Sequence, residues 1–377
     1  MVRGIISIAI GILTIVISGN GIIPTLSSQV VTSISFKEEL SIGVREGDEN
    51  YMFGNTIMVN ADSSGNIYVT DWDRKQIRKY DPRGKYLLTM GQKGQGPGEF
   101  ANISVARFDR AGNIYALDFA SRKIVFFDLN GKFLNQRQIN EQFADLQWTP
   151  AGTYLGIQSK LLEIAGIPQF VRKYGIFDDQ FKAIVEFYSA AIPPPPPPLP
   201  NPNPRALAED LSKSIFQPDP FYVMGSDGQI FYGYSDKYVI HVYSPEGAKL
   251  RTISRDCEPL KIEKKDEDDF FENEWSTYLR YLPETIKNQV KQHIHFPKNK
   301  PFFQRLAPME NGWLAVVVDA EGGKSILFDI FDKDGRFLAR MRGLVPNKNF
   351  FFRNGKAYAV KEDEGYQFVK RYSYEIR

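Results

Sequence analysis

The chain has 377 residues with 47 basic and 45 acidic side chains, which gives a net charge of +2. This near balance argues against a nucleic-acid-binding protein, which would carry a strongly basic face. Aromatic residues make up 14% of the chain, as is typical of β-sheets, and Cys257 is the single cysteine, so no intramolecular disulfide can form.

Residues 1–29 predict either a cleaved export signal or an N-terminal membrane anchor. Arg3 precedes an apolar run over residues 5–17, and small residues before position 30 offer a cleavage site. The run is short for a membrane span, which needs about 20 residues, although residues 5–23 come close to that length. We therefore expect an exported protein, periplasmic or extracellular, and a membrane tether through residues 5–23 is the alternative.

Residues 62–87 recur, 47 positions later, as residues 109–134, with 11 identities in 26 positions. The shared residues mark turns and short strands, as in Gly65-Asn66-Ile67-Tyr68 and Gly112-Asn113-Ile114-Tyr115. Gly84 and Gly131 occupy equivalent turns that predict a left-handed backbone. A strand repeat with a period in the forties is typical of β-propeller blades, which must stack on copies of themselves.

Weaker copies of the unit continue along the chain and indicate six blades in total. The last copy, from residue 353, lacks an outer strand, whereas residues 33–43 form a strand without a blade. We therefore expect the N-terminal strand to close the ring, which removes exposed sheet edges. Over residues 30–377, removing insertions at 189–217 and 257–300 leaves about 46 residues for each of six blades. The sequence predicts an all-β, six-bladed β-propeller of four-stranded antiparallel blades.

Several motifs resemble NHL-type repeats: Gly65-Asn66-Ile67-Tyr68-Val69-Thr70-Asp71, Ile77-Arg78-Lys79-Tyr80-Asp81 and the glycine-rich stretch 91–100. More closely, residues 34–377 resemble the bacterial six-bladed β-propeller proteins of that superfamily. The residues that carry this resemblance are Ile42-Gly43, Glu46-Gly47, Phe296-Pro297, Pro301-Phe302 and Gly312-Trp313-Leu314. The resemblance implies the fold and says little about activity, because one propeller fold supports many functions.

The two insertions differ in character. Residues 192–204 are rich in proline and predict a stiff polyproline arm, with a docking strip for an aromatic-lined partner as the alternative. A helical insertion is expected near residues 263–292, interrupted at Pro283.

Two groups of potential metal ligands lie in or beside the helical insertion, and neither has the spacing of a metal site. Asp266, Asp268 and Asp269 lack the alternating ligands of a calcium loop, so we expect them to face solvent. His293 and His295 lack a third ligand nearby. We predict neither a metal nor a cofactor.

Propeller enzymes that resemble this fold usually act from the axial channel, which the first strand of each blade lines. We expect these strands at 55–61, 102–108, 143–149, 220–225, 302–308 and 349–353. Their polar members include no histidine, no glutamate and one aspartate, Asp145, which is a poor set for catalysis. It suits a neutral or anionic ligand held by amides and guanidinium groups. The candidate ligand-binding residues are Asn55, Asn102, Gln147, Arg305 and Arg353.

These observations favour an exported, non-enzymatic binding module for an unknown protein or small ligand, present as a monomer. No residue is predicted to be catalytic. One alternative is a lyase, lactonase or hydrolase that works from the channel. The other is a sensor ectodomain held at a membrane by an uncleaved N-terminal segment.

Overall fold

The computed structural model describes residues 34–164, 166–191, 203–275, 282–321, 325–343 and 350–377. These residues form six antiparallel sheets of four strands each, so the chain is a six-bladed β-propeller, as the sequence predicts. The predicted signal or anchor over residues 1–29 lies outside the described residues. Within the described part of the chain, no helix combines the length and the apolar composition needed to cross a membrane.

The first described strand is β1 (Ile34–Ile42), and each later blade then follows in chain order. Blade 1 consists of β2 (Ile57–Ala61), β3 (Ile67–Asp71), β4 (Gln76–Tyr80) and β5 (Tyr86–Met90). Blade 2 consists of β6 (Ile103–Phe108), β7 (Ile114–Asp118), β8 (Lys123–Phe127) and β9 (Phe133–Gln138). Blade 3 consists of β10 (Gln142–Trp148), β11 (Tyr154–Ile164), β12 (Ile167–Phe177) and β13 (Ala183–Ala191).

The second half of the ring follows the same order of strands. Blade 4 consists of β14 (Pro220–Met224), β15 (Ile230–Tyr234), β16 (Val239–Tyr243) and β17 (Lys249–Ser254). Blade 5 consists of β18 (Arg305–Pro308), β19 (Leu314–Glu321), β20 (Ser325–Phe331) and β21 (Phe337–Gly343). Blade 6 contains β22 (Phe350–Arg353), β23 (Lys356–Asp363) and β24 (Tyr366–Ile376).

The N-terminal strand closes the ring, as the sequence predicts. β1 pairs antiparallel with β24 from Ile34 opposite Ile376 to Ile42 opposite Val369, and so becomes the outer strand of blade 6. Ile34 and Ile42 are buried at its two ends. Surface ion pairs, including Lys370 with Glu38 at 2.7 Å, accompany the backbone pairing.

A repeated aspartate shapes the outer turn of four blades. The Asp81 carboxylate accepts hydrogen bonds from the backbone N–H groups of Arg83 and Lys85, both at 2.8 Å. Gly84 lies within this turn at φ +83°, which confirms the predicted left-handed backbone. The residues that play the part of Asp81 in the other blades are Asp128, Asp178 and Asp332.

A second repeated aspartate holds the segment that leads into the first strand of a blade. Asp71, at the end of β3, is fully buried and accepts from the backbone N–H of Gly54, just before β2. Asp118, 47 positions later, accepts from the N–H groups of Ala101 and Asn102 in the same way. The polar repeat read in the sequence is therefore a set of backbone clasps, since buried N–H groups need partners.

The hydrophobic core lies between adjacent blades rather than within one blade. Apolar side chains from facing sheets form a separate buried cluster at each of the six junctions. Aromatic rings contribute much of this packing, for example Tyr68 of blade 1 against Phe108 of blade 2 at 5.1 Å between centroids. This arrangement explains the high aromatic content, because each sheet must be covered on both faces.

The two insertions together form a small helical cap. Asn203 caps α1 (Pro204–Ser212), while residues 192–202, the main part of the predicted polyproline arm, lie outside the described residues. The second insertion contains α2 (Lys264–Asp269), a π-helical turn (Phe270–Glu274) and α3 (Glu284–Lys291), which begins after Pro283 as expected. A buried apolar cluster joins the insertions.

A buried ion cluster fastens the cap to blade 5. The Lys300 ammonium group lies 2.7 Å from an oxygen of Asp266 and 2.8 Å from one of Asp319. All three side chains are less than 10% exposed. The expectation that Asp266 faces solvent is therefore wrong, because the carboxylate turns inward to neutralise a buried lysine.

Candidate functional site

A cavity of about 520 Å³ occupies the axis of the ring. The first strands of all six blades, β2, β6, β10, β14, β18 and β22, contribute to its lining. It reaches the turns that follow these strands, where Pro150, Ser226 and Glu310 belong to the lining. The helical cap is inserted at the opposite ends of β14 and β18. The cavity volume is typical of a site for a small organic ligand.

Three of the five predicted site residues come together in this cavity. Gln147 of β10, Arg305 of β18 and Arg353 of β22 all line it. They belong to blades 3, 5 and 6.

Asn55 and Asn102 do not line the cavity. Both precede the first strand of their blade, and the backbone N–H of each donates to an aspartate carboxylate of the same blade. The Asn55 N–H donates to Asp73 at 2.6 Å, and the Asn102 side-chain oxygen accepts from the Lys75 ammonium group at 2.8 Å. Their shared 47-residue offset therefore reflects a repeated structural role.

A partly buried polar network joins three blades on one side of the cavity. One terminal nitrogen of Arg107 donates to both oxygens of Asp145, at 2.9 and 3.1 Å. The Tyr222 hydroxyl donates to the same carboxylate at 2.6 Å. Although burial opposes the charge, the nearby Asp145 carboxylate raises the pKa of Arg107. Burial and the same carboxylate raise the pKa of Tyr222 well above its usual value.

The second carboxylate of the lining, Glu310, is held by the backbone of blade 6. Its two oxygens accept from the N–H groups of Asn354 and Gly355, both at 2.8 Å. The Asn354 side chain in turn donates to the Asp62 carbonyl at 2.7 Å, which links blades 6 and 1. Both carboxylates of the lining therefore use their oxygens to hold parts of the protein together.

The two remaining cations of the lining lie on adjacent blades. Arg305 donates from Nε to the Phe350 carbonyl at 3.0 Å, and burial lowers its pKa to about 10. The Arg353 side chain makes no hydrogen bond or ion pair with a described residue, and its Nε is buried. Two guanidinium groups therefore lie side by side, which makes this side of the cavity electropositive.

Apolar and aromatic side chains complete the wall. They come from both sides of the ring and include Met58, Phe108, Trp148, Val223, Leu306 and Phe351. Among the described residues, no group of three or more histidine, cysteine, aspartate or glutamate side chains is arranged to hold a metal ion. The site thus combines guanidinium donors with an apolar surface.

Sequence reasoning missed Tyr222 and Glu310 as parts of this site. Tyr222 lies in a first strand that the sequence predicts correctly, but a tyrosine in a strand is equally typical of the hydrophobic core, so nothing marks it as a polar cavity residue. Glu310 follows β18 in a turn, beyond the predicted strand. Asn60, Arg107 and Asp145 are polar residues within the predicted first strands, and all three line the cavity.

Comparisons with known proteins agree with the propeller architecture. The family model DUF5128, described as a 6-bladed beta-propeller, matches residues 48–193. No curated protein sequence matches the chain.

Solved structures resemble the chain over nearly its whole length. A candidate exported protein from Bacteroides fragilis has 13% identity and a TM-score of 0.52, with 93% of this chain and 96% of that chain covered. A DUF4221 family member from Bacteroides vulgatus has 9% identity and a TM-score of 0.51, covering 92% and 99%. Virginiamycin B lyase from Staphylococcus aureus has 8% identity and a TM-score of 0.44, covering 90% and 99%. At these identities the likeness shows the fold alone: the chain is similar to bacterial six-bladed β-propellers.

Proposed function

We propose that this chain is an exported, monomeric propeller of the NHL-repeat type that binds a small ligand in its axial cavity without transforming it. The observation that carries the proposal is the state of the two carboxylates in the lining. Asp145 is held by Arg107 and Tyr222, and Glu310 is held by two backbone N–H groups. Every oxygen of the two carboxylates already accepts a hydrogen bond within the protein, which disfavours either of them as the general base of a reaction. The Arg353 guanidinium group and the apolar surface remain for binding.

Blocking the mouth of the cavity tests this proposal. Ser226 is exposed and lines the cavity at the turn after β14, so Ser226→Trp should obstruct entry without disturbing the core. Ser63 occupies the equivalent turn of blade 1, is also exposed and does not line the cavity, so Ser63→Trp is the matched control.

The measurement is capture of small molecules from an envelope extract, followed by mass spectrometry of what is released. We expect the wild type and Ser63→Trp to enrich the same compound and Ser226→Trp to lose it. Release of that compound with an altered mass would favour the channel enzyme. Equal capture by Ser226→Trp would show that the ligand binds elsewhere.

Export is a separate part of the proposal and rests on the composition of residues 1–29. Mass spectrometry of the mature protein tests it, with an N-terminus near residue 29 or 30 as the expected result. An intact N-terminus in the membrane fraction would favour the anchored sensor ectodomain.

A further inference from the structure

We propose that the axial cavity recognises an organic oxyanion, a carboxylate or a phosphate ester, through Arg353 and Arg305. This inference rests on the proposed function, since it names the class of ligand that the same cavity takes. Some hydrogen-bonding groups of the lining are already engaged within the protein, and the Arg353 side chain is not.

The two carboxylates of the lining already accept hydrogen bonds within the protein. Both oxygens of Asp145 accept from Arg107, and one of them also accepts from Tyr222. Both oxygens of Glu310 accept from backbone N–H groups. A ligand cation would therefore find each carboxylate already engaged, and it would also meet the positive charge of the arginines.

The N–H donors of Arg353, in contrast, are available to a ligand. A guanidinium group carries five N–H donors and no acceptor. The Arg353 side chain has no partner among the described residues, its buried Nε is unpaired, and the residue lines the cavity, so it can donate to a bound ligand. A buried donor without a partner is costly, and a ligand that supplies acceptors removes that cost. An oxyanion matches the planar fork of arginine and can accept two parallel hydrogen bonds.

Arg305 strengthens the same preference from the neighbouring blade. Burial disfavours its charged form, and an anion beside it would offset the lost hydration. The apolar wall formed by Phe108, Trp148 and Leu306 indicates that the anion is attached to an organic body rather than being a bare inorganic ion.

Matched pairs of small probes test the charge preference on the wild-type protein, without any variant. Isothermal titration calorimetry compares benzoate with benzamide, indole-3-acetate with indole-3-acetamide, and glucose 6-phosphate with glucose. We expect at least one anion to bind about tenfold or more tightly than its neutral partner, because charge-assisted hydrogen bonds are roughly twice as strong as neutral ones. The carboxylate and phosphate pairs distinguish the two sources of the oxyanion.

Substitution of Arg353 tests whether this residue causes the preference for anions. Arg353→Gln should reduce anion affinity about tenfold or more and leave the neutral partner unchanged. Arg83 is exposed and its side chain makes no described contact, so Arg83→Gln is the control and should bind as the wild type does. Thermal melting of each variant shows whether it is folded.

Two failures are distinguishable. If neutral and charged partners bind alike and Arg353→Gln has no effect, while Ser226→Trp abolishes binding, the cavity is the site but the oxyanion inference is overturned. If no probe binds, or if Ser226→Trp binds every probe as tightly as the wild type, both the inference and the proposed site are overturned.

Discussion

Gly112 and Gly131 share a left-handed backbone but differ in their surroundings. Gly112 has φ +84° with open space where a Cβ atom would lie, whereas Gly131 has φ +82° and a Cβ there would approach Leu88 to 2.9 Å. A side chain at Gly112 therefore adds backbone strain alone, and one at Gly131 adds strain and a clash with the neighbouring blade.

The first prediction uses this pair. Gly112→Ala should lower the free energy of unfolding by about 1–2 kcal/mol, the usual cost of a left-handed conformation in a residue with a Cβ atom. Gly131→Ala should cost more, because the junction between blades 1 and 2 must also shift. Urea unfolding of both variants measures the difference. Equal losses would show that Leu88 moves aside freely.

A second prediction concerns Lys300, whose ammonium group lies between the buried carboxylates of Asp266 and Asp319. Lys300→Met should destabilise the protein by about 3–5 kcal/mol, since it leaves buried charge without compensation. Lys264→Met is the control, because Lys264 is exposed and solvent screens its ion pair with Asp268. Differential scanning calorimetry gives both values. Similar melting of the two variants would contradict the structural role assigned to the cluster.

At the scale of the element, β1 depends on a sheet made by the other end of the chain. Its pairing covers the edge of β24, and Ile34 and Ile42 join two different core clusters. The strand therefore connects blade 6 with both of its neighbours.

The third prediction compares two truncations, one beginning at residue 34 and one at residue 43. The longer chain should fold as a closed ring, and the shorter one should aggregate or lose much of its stability because an unpaired edge is exposed. A synthetic peptide of residues 34–42 added during refolding should restore soluble protein. Identical melting curves for the two truncations would show that β1 is dispensable.

At the scale of the whole molecule, buried tyrosines connect stability to alkaline pH. Burial raises the pKa of Tyr232 and of Tyr234 to about 12, and burial followed by the Asp62 carboxylate raises the pKa of Tyr68. The unfolded chain loses tyrosine protons near pH 10, whereas the folded chain retains them. This stabilising effect is complete below pH 10 and is lost as pH rises through the folded values.

The fourth prediction concerns this loss of stability at alkaline pH. The melting temperature should fall steeply above about pH 10. Arg305, whose pKa is lowered, acts in the opposite direction but is outnumbered by the tyrosines. Tyr68→Phe should make the fall shallower, because it removes one group that the unfolded chain deprotonates. A pH series of melting curves for the wild type and Tyr68→Phe measures both effects. A melting temperature independent of pH up to 11 would contradict this account.

The sequence predicted more of the ring than of the site, and the reason is physical. Turn residues such as Gly84 and the clasp formed by Asp71 depend on local backbone geometry, which a repeat reproduces in every blade. The cavity depends on side chains that differ from blade to blade. Arg305 and Arg353 could be placed near the axis because their strands were correctly located, but their neighbours could not be named.

For Asn55 and Asn102, the repeat led to a wrong placement. A shared position in the repeat suggested a shared role at the axis, and the structure assigns both to strand entries instead. Tyr222 could not be recognised because its contact with Asp145 joins residues 77 positions apart. Pairing between blades at such distances depends on the ring geometry, which no local pattern records.

The closure of blade 6 also has a consequence for the order of folding. Ser373 donates to the Lys37 carbonyl across 336 positions, so the earliest described strand finds its partner only when the latest one has been synthesised. Contacts of such high sequence separation form slowly, because a long loop must be closed before they contribute any stability. We expect the five complete blades to assemble as a partly open arc during synthesis. Joining its two ends would then be the last step, and until that step both sheet edges would be open to pairing with another chain.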